Sequence, residues 1–291
     1  MAMRVLVTGA AGHLGRHVTA ALTAAGHEVH AVDAAPFAGE AAQVTVADLA
    51  VWDGLGAAAR EADAIVHLAA IPNLDNHPED VVYRTNVTLA ARVAFAAIEA
   101  KIGRYVYASS QTVLGQSLAP SIVAPVRLPV DEDHPLVPRE GYGLSKLAGE
   151  GLAALVAERL GVAAFALRLP VIWAPETFAA HVGKRRGNPV QAVKSLWAYV
   201  DARDAGEAFR LAVEVEADGF AALQIGADRP FVDGDIREAV AAAYPGVPRG
   251  SEIGPATPIF SIERARRVLG YAPRHRWHAG GIDTRNETEA A

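Results

Sequence analysis

Short apolar runs alternate with longer stretches of helical period through the first three quarters of the chain. The run Val5 to Val7 reads as a buried strand, and helix-forming residues follow from about Leu14 to Leu22. A second apolar strand, Glu28 to Val32, ends at Asp33; a short third one, Val44 to Val46, ends at Asp48 and Leu49. A helix to about Glu61 leads into a fourth strand, Ala64 to Leu68, and then a loop from Ile71 to Pro78. The helix expected over 78–101 carries Val87, Ala91, Phe95 and Ile98 at helical spacing, and Gly103 is expected to end it. Strand five is Tyr105 to Ala108, closed by Ser109 and Ser110. A long proline-bearing loop, Gln111 to Glu140, is unusual unless it covers something. A helix from Gly141 to about Leu160 and a strand from Ala163 to Leu169 follow. The stretch from Pro170 to Tyr199 reads as irregular. Beyond it come a short strand (199–200), a helix (201–214), a strand (220–225) and two short helices (235–243 and 262–269). The polar chain after Trp277 is expected to fray.

The turn after the first strand narrows the reading. Gly9, Gly12 and Gly15 lie three apart: the first allows a tight turn, the second a close backbone approach to a ligand, the third close helix–strand packing. Free N–H groups at the helix start, with the positive end of its dipole, favour a pyrophosphate. A close-packed turn with no ligand carries the same glycines. Two neighbours tip the balance: the triplet directly follows a strand, and Asp33 closes the next one. A carboxylate there accepts both ribose hydroxyls of NAD and repels the extra phosphate of NADP; Ala34, Ala35 and Pro36 supply no cation. NAD is therefore the expected cofactor. Asp48 either meets the adenine amine or caps the next helix, and small Ala69 and Ala70 suit a cofactor passing close to a strand end. His67, inside an apolar strand, reads as a core histidine.

Strands alternating with helices at this spacing predict an α/β fold, a doubly wound parallel sheet of Rossmann type with a small discontinuous C-terminal substrate lobe. The expected division is 1–170 plus 199–225 for the dinucleotide domain, 171–198 plus 226–280 for the lobe, and 281–291 as a flexible tail.

Composition excludes other classes. A net charge of −6 and a pI near 5.9 argue against nucleic acid or an anionic membrane as partner. With no cysteine there is no disulfide framework, thiolate nucleophile or Cys-bound zinc, and no metal site is expected. The first strand starts too early for a signal peptide, and no apolar run is expected to reach membrane length. The expectation is a cytoplasmic protein.

The chemistry is expected where strand five ends. Tyr142 and Lys146, four apart, share one face of the helix that follows the long loop. A free tyrosine titrates near pH ~10 and is a poor base at neutrality. A nearby ammonium, with the positive charge of an oxidised nicotinamide, favours the phenolate. Tyr142 can then take a proton from a substrate hydroxyl as hydride leaves the same carbon, with Ser110 holding that oxygen. An ordinary amphipathic pair has the same spacing; the glycine turn and the serine-capped strand favour the catalytic reading.

Thr8-Gly-Ala-Ala-Gly-His-Leu-Gly15, Asp33, Asp48-Leu49, His67-Leu-Ala-Ala70, Asn86-Val87, Ser109-Ser110 and Tyr142-x-x-x-Lys146 together resemble the extended short-chain dehydrogenase/reductases, the NAD-dependent epimerase/dehydratase family. The resemblance covers residues 4 to about 225. It implies that Tyr142 is the catalytic base, Lys146 a further ligand of the nicotinamide ribose and Ser110 the hydroxyl partner. The implied cofactor contacts are Gly9, Gly12, His13, Leu14, Gly15, Asp33, Asp48, Leu49, Leu68, Ala69, Ala70, Asn86, Ser109, Tyr142 and Lys146. It also implies a homodimer through the two long helices.

The departures from the family pattern concern the substrate. Leu114 stands before Gly115 where family epimerases carry tyrosine. Thirty residues separate Arg168 from Tyr199, a shorter interval than the one that grips the nucleotide in nucleotide-sugar enzymes. That shortness, the Ser109-Ser110 loop and Leu269-Gly-Tyr-x-Pro look more like uronate dehydrogenases, which oxidise the anomeric carbon of a free sugar acid to a lactone. A sugar carboxylate needs a cation, and Lys184, Arg185 and Arg186 lie in the right interval; a solvated basic turn is the alternative for each. Asn73, Ser110 and Thr112 are the other expected substrate contacts. Competing readings are a nucleotide-sugar epimerase or dehydratase, a reductase of a non-sugar carbonyl suggested by apolar Ile172, Trp173, Phe178 and Trp197, and a non-catalytic dinucleotide sensor, against which Ser110, Tyr142 and Lys146 together speak.

Overall fold

The structure, a computed structural model, describes residues 1–179, 189–232, 234–278 and 281–284. Its elements run β1 (Arg4–Thr8), α1 (His13–Ala24), β2 (Glu28–Asp33), β3 (Gln43–Val46), α2 (Leu55–Glu61), β4 (Ala64–His67), α3 (Glu79–Ala100), β5 (Arg104–Ser110), α4 (Gly141–Leu160), β6 (Ala163–Leu169), β7 (Ile172–Trp173), α5 (Pro189–Lys194), β8 (Val200–Asp201), α6 (Ala202–Glu214), β9 (Phe220–Gln224), α7 (Ile236–Ala243), α8 (Glu263–Leu269), β10 (His275–His278) and β11 (Gly281–Thr284). Seven strands form one parallel sheet in the order β3-β2-β1-β4-β5-β6-β9, the doubly wound topology expected from the alternation.

Period-two alternation explains why the sheet needs helices on both faces. Val5 and Val7 of β1 join Val106, Phe165 and Leu167 in a core covered by α1 and α6. Leu6 points the other way, with Ile65, Tyr105 and Tyr107, into a core covered by α2, α3 and α4. Strand β3 is the edge, and its valines Val44 and Val46 are exposed. Register brings the carboxyl ends together: Thr8 pairs with His67, Ser109 with Arg168 and Arg168 with Gln224. The site sits along that line of strand ends.

A third apolar cluster unites Trp197, Ile236, Val240, Tyr244 and Phe260 with Val113, Leu114, Leu128 and Val130. The 111–140 loop therefore helps to build the core of the C-terminal lobe. Two bridges fix it there, Leu128 to Arg249 and Val130 to Phe260.

Four expectations need correction. Helix α3 ends at Lys101, which takes a left-handed C-cap conformation (φ 55°), rather than at Gly103, whose N–H is committed to the Asp63 carbonyl. The 170–199 interval holds β7, paired in parallel with β8, and the short helix α5. The chain beyond Trp277 does not fray at once, because β11 pairs antiparallel with β10. The hairpin is anchored from outside: the Trp277 indole N–H donates to Asp201 (2.9 Å), and the backbone N–H groups of Arg274 and His275 donate to Asp204 (3.0 and 2.9 Å). Finally, α3, 22 residues long with an 18-residue stretch of mean hydropathy 1.2, does reach the length and composition needed to cross a membrane. Its Leu89, Val93 and Ala97 are packed in the core beside α4, as a core helix packs.

Candidate active site

A cavity of about 880 Å³ runs along the strand ends. At one end it is walled by the β1–α1 turn. Gly9 has φ +77°, and a Cβ on it would lie 2.5 Å from the Ala69 backbone nitrogen. A Cβ on Gly15 would lie 2.1 Å from the Gly9 carbonyl oxygen, so strand and helix touch through these two glycines. Gly12 is the N-cap of α1 and lines the cavity with His13, Leu14 and Gly15. The N–H groups of the first turn of α1 have no carbonyl within the helix to meet, which leaves an electropositive cradle.

Asp33 supports that cradle directly. Its carboxylate accepts from the N–H groups of Ala11 and Ala35, each at 2.9 Å, and it lines the same wall. Asp48 and Leu49 line it beside Asp33. Asp48 accepts from Ala50 N–H at 2.9 Å and so closes its own turn; the N-cap of α2 is Gly54. Leu68, Ala69 and Ala70 form the floor. His67, below them, shares a 2.7 Å hydrogen bond with Thr8 and is buried, which drives its pKa down to about 3 and keeps the ring neutral. Asn86 stands behind the wall rather than on it: its amide bonds both the N–H and the carbonyl of Ile71 (2.8 and 3.1 Å) and the Ser145 hydroxyl (3.2 Å). It ties the loop after β4 to α4.

At the other end, β5 delivers Ser109 and Ser110, and the first turn of α4 delivers Tyr142 and Lys146. Glu140 caps that helix by accepting from Gly143 N–H at 2.8 Å. Tyr142 and Ser110 both line the cavity, and the Ser110 side chain acts to lower the phenol's pKa. Lys146 donates to the Ala108 carbonyl at 2.9 Å and lies 5.6 Å from the Tyr142 ring centroid. Burial dominates the titration of both groups: it pushes the Tyr142 phenol up to about 12, against the lowering influence of Ser110, and brings Lys146 down to about 8. The expected lowering combines Lys146 with the positive charge of an oxidised nicotinamide; within the protein alone, burial keeps the phenol above its ordinary value.

Ser109 turns away from the reacting group and donates to Glu150 at 2.6 Å; Glu150 in turn holds Arg168 through two hydrogen bonds (2.9 and 2.8 Å). Thr112 and Asn73 lie on the wall, while Lys184, Arg185 and Arg186 fall outside the described residues. Gln111, Ser117, Gln191 and Ser195, none of them expected from the sequence, also line the cavity. The run Ser109-Ser-Gln-Thr-Val-Leu-Gly-Gln-Ser117 was the available signal, polar residues crowded just past a strand end. Among the described residues no group of three or more acidic or histidine side chains is placed to hold a metal ion.

The residues present fit a dinucleotide. Glycine leaves room at the helix start, Asp33 waits at the end of β2, and the buried Nε2 of His13 beside them has no protein partner.

Comparison with known proteins agrees. The profile of the NAD dependent epimerase/dehydratase family matches residues 5–226. L-arabinose 1-dehydrogenase (NAD(P)(+)) of Haloferax volcanii is 31% identical over 216 residues, 72% of this chain and 82% of that one. A uronate dehydrogenase of Pseudomonas syringae pv. tomato is 29% identical over 57% of this chain and 58% of its own. MoeE5, solved in complex with UDP-glucuronic acid and NAD, superposes with a TM-score of 0.68 at 26% identity, over 93% of this chain and 94% of that one. On this fold, this cradle and these matches, the chain belongs to the NAD dependent epimerase/dehydratase family and is an NAD-dependent enzyme of the extended short-chain dehydrogenase/reductase type.

Proposed function

We propose that this enzyme oxidises the anomeric hydroxyl of a free sugar or sugar acid to the lactone, with Ser110, Tyr142 and Lys146 as its catalytic set. The observation that carries the reading is that Ser110, Tyr142 and Lys146 line one end of a cavity that begins at the glycine cradle, with Lys146 one turn along α4 and 5.6 Å from the Tyr142 ring centroid. NAD, when bound, supplies the hydride acceptor and a positive charge. Tyr142 Oη takes the proton of the sugar hydroxyl; Ser110 Oγ donates to the sugar oxygen and fixes it against the phenol. Lys146, held on the Ala108 carbonyl, keeps a positive group near the developing phenolate. The two named relatives that act on free sugars support the substrate class. In this reading the 171–198 plus 226–280 lobe meets the sugar through its cavity-lining residues Val171, Ile172, Gln191 and Ser195.

A second reading, epimerisation or dehydration of a nucleotide sugar, is favoured by one observation. MoeE5 and this chain are covered almost equally, so a protein of nearly this length holds UDP-glucuronic acid. A short interval after β6 therefore does not by itself separate the readings. Incubation with NAD and a panel of aldoses, uronic acids and UDP-sugars tests them. NADH formed with a free sugar supports the proposal; isomerised UDP-sugar without net NADH refutes it. Working as a homodimer in the cytoplasm belongs to the same proposal: the long helices α3 and α4 pack together and leave Phe95 and Leu144 half exposed, and a monomeric mass in solution refutes the dimer.

A further inference from the structure

Lys146 is only 3% exposed, yet few protein groups meet its charge. Of its three N–H donors one reaches a protein acceptor among the described residues, the Ala108 carbonyl. No carboxylate of those residues bears on its titration, which burial alone lowers. A buried ammonium with so little to meet it is costly, and what faces it is aromatic. Its nitrogen lies 5.2 Å from the ring centroid of Tyr107 and 5.6 Å from that of Tyr142. The negative face of a ring attracts a cation within about 6 Å, more strongly where water is excluded.

The two tyrosines differ in what they can do. Tyr142 lines the cavity; Tyr107, on β5, is buried and does not. Burial pushes the Tyr107 phenol well above the ordinary tyrosine value, so its ring stays neutral. The ring is held from two sides. The His67 ring lies 5.7 Å away, and α4 approaches through Gly149, where a Cβ would sit 2.2 Å from Tyr107 Oη. Lys146 and Gly149 are three apart on α4, so one helix face supplies both the ammonium and the room for the ring. The other titratable groups around this ring are neutral or already engaged. His67 and Tyr105 are kept uncharged by burial, and Glu150, whose charge reaches Tyr107, is held by Arg168 and Ser109.

We propose that Tyr107 is a positioning residue whose ring face, through a cation–π contact, keeps the Lys146 ammonium charged and beside Tyr142. The inference rests on the reading of Lys146 as a catalytic residue and adds the group that holds it. Tyr142 exchanges the proton, whereas Tyr107 takes none.

The test changes the electrons of the ring while nearly keeping its shape. Tyr107→Phe is the reference, and mono-, di- and trifluorinated phenylalanine at position 107 progressively weaken the negative ring face. The chain has four lysines, Lys101, Lys146, Lys184 and Lys194, so NMR of the full chain isotope-labelled at lysine Cε resolves the Lys146 signal, identified by its loss in Lys146→Met. Without NAD, the ammonium should titrate at about 8 in the parent chain and nearly there in Tyr107→Phe. It should fall stepwise with fluorine, by about one pH unit at the trifluorinated ring. Equal midpoints across the series overturn the inference, because packing alone is blind to ring electrons. Should the phenylalanine variants not fold, 3-fluorotyrosine at position 107 keeps the hydroxyl, and an unchanged midpoint there overturns it equally. The alkaline limb of kcat on the sugar, where the ammonium is lost, should move to lower pH in the same order with KM unchanged. A limb that stays in place while the NMR midpoint falls supports the ring contact and refutes the catalytic reading of Lys146.

Discussion

Arg168 and Glu150 form a buried ion pair directly behind the reacting strand end, and breaking it from one side should be severe. Their side chains are 3% and 5% exposed, joined by two hydrogen bonds, with Ser109 as a third partner of the carboxylate and the Glu132 carbonyl as a further acceptor for Arg168. Arg168→Met keeps an unbranched chain of similar length but leaves the Glu150 carboxylate buried with a single hydroxyl donor. Removal of one member of such a pair costs about 3–5 kcal/mol. The double substitution Arg168→Met with Glu150→Met removes both charges of the pair. Two groups then lose a partner, the Ser109 hydroxyl and the Glu132 carbonyl, at about 1 kcal/mol each. The double variant should therefore be more stable than Arg168→Met alone by about 1–3 kcal/mol. Urea unfolding followed by tryptophan fluorescence reads both variants, compared at equal m. A loss below about 1 kcal/mol in Arg168→Met, or a double variant as unstable as the sum of the two singles, refutes the reasoning. Because Ser109 adjoins Ser110, Arg168→Met should also lower kcat in the fraction that folds.

Tyr142→Phe removes the proton acceptor and should lower kcat by about 10²–10⁴-fold while calorimetry shows NAD binding unchanged. Asp33→Ala removes the acceptor for Ala11 and Ala35 N–H and for the ribose, and should raise the Kd for NAD by about ten- to a hundredfold while eroding its preference over NADP. Lys146 gives a signed pH test. Its pKa falls from 10.5 to about 8 on burial, so the folded state carries a cost of about 3 kcal/mol below pH 8 that is relieved as pH rises toward 10.5. Lys146→Met should therefore gain on the native chain at pH 7 relative to its standing at pH 10, as urea midpoints across that range will show; a pH-independent difference counts against the burial argument.

The parallel sheet and the cofactor end of the site were legible in the sequence because local signals fix them. Apolar runs such as Ala64 to Leu68 admit few alternatives to a doubly covered strand, and Gly9 and Gly15 are needed for steric reasons that a Cβ clash makes plain. Asp33 was readable as a strand-end acid, but its grip on Ala11 was not, since that contact needs the turn folded back over β2. Asn86 shows the converse: the family resemblance places it near the cofactor, but only the fold shows its amide holding the backbone of Ile71 behind the cavity wall. The substrate end was poorly legible for a physical reason. Thr112, Ser117 and Gln191 converge only when the 111–117 segment and α5 pack together, across 74 residues of sequence for the Gln191–Ser117 bond. The β10–β11 hairpin escaped because polar strands carry no apolar alternation, and its anchors, Asp201 and Asp204, lie far upstream.

The central claim is that hydride leaves the anomeric carbon of a free sugar while Tyr142 receives the hydroxyl proton. An aldose deuterated at that carbon, incubated with the enzyme and NAD, tests it in one step by mass spectrometry of the cofactor. The account predicts singly deuterated NADH and an equal amount of unlabelled lactone, with neither formed by Tyr142→Phe. NADH without deuterium, or label retained in the sugar of every substrate tried, contradicts it.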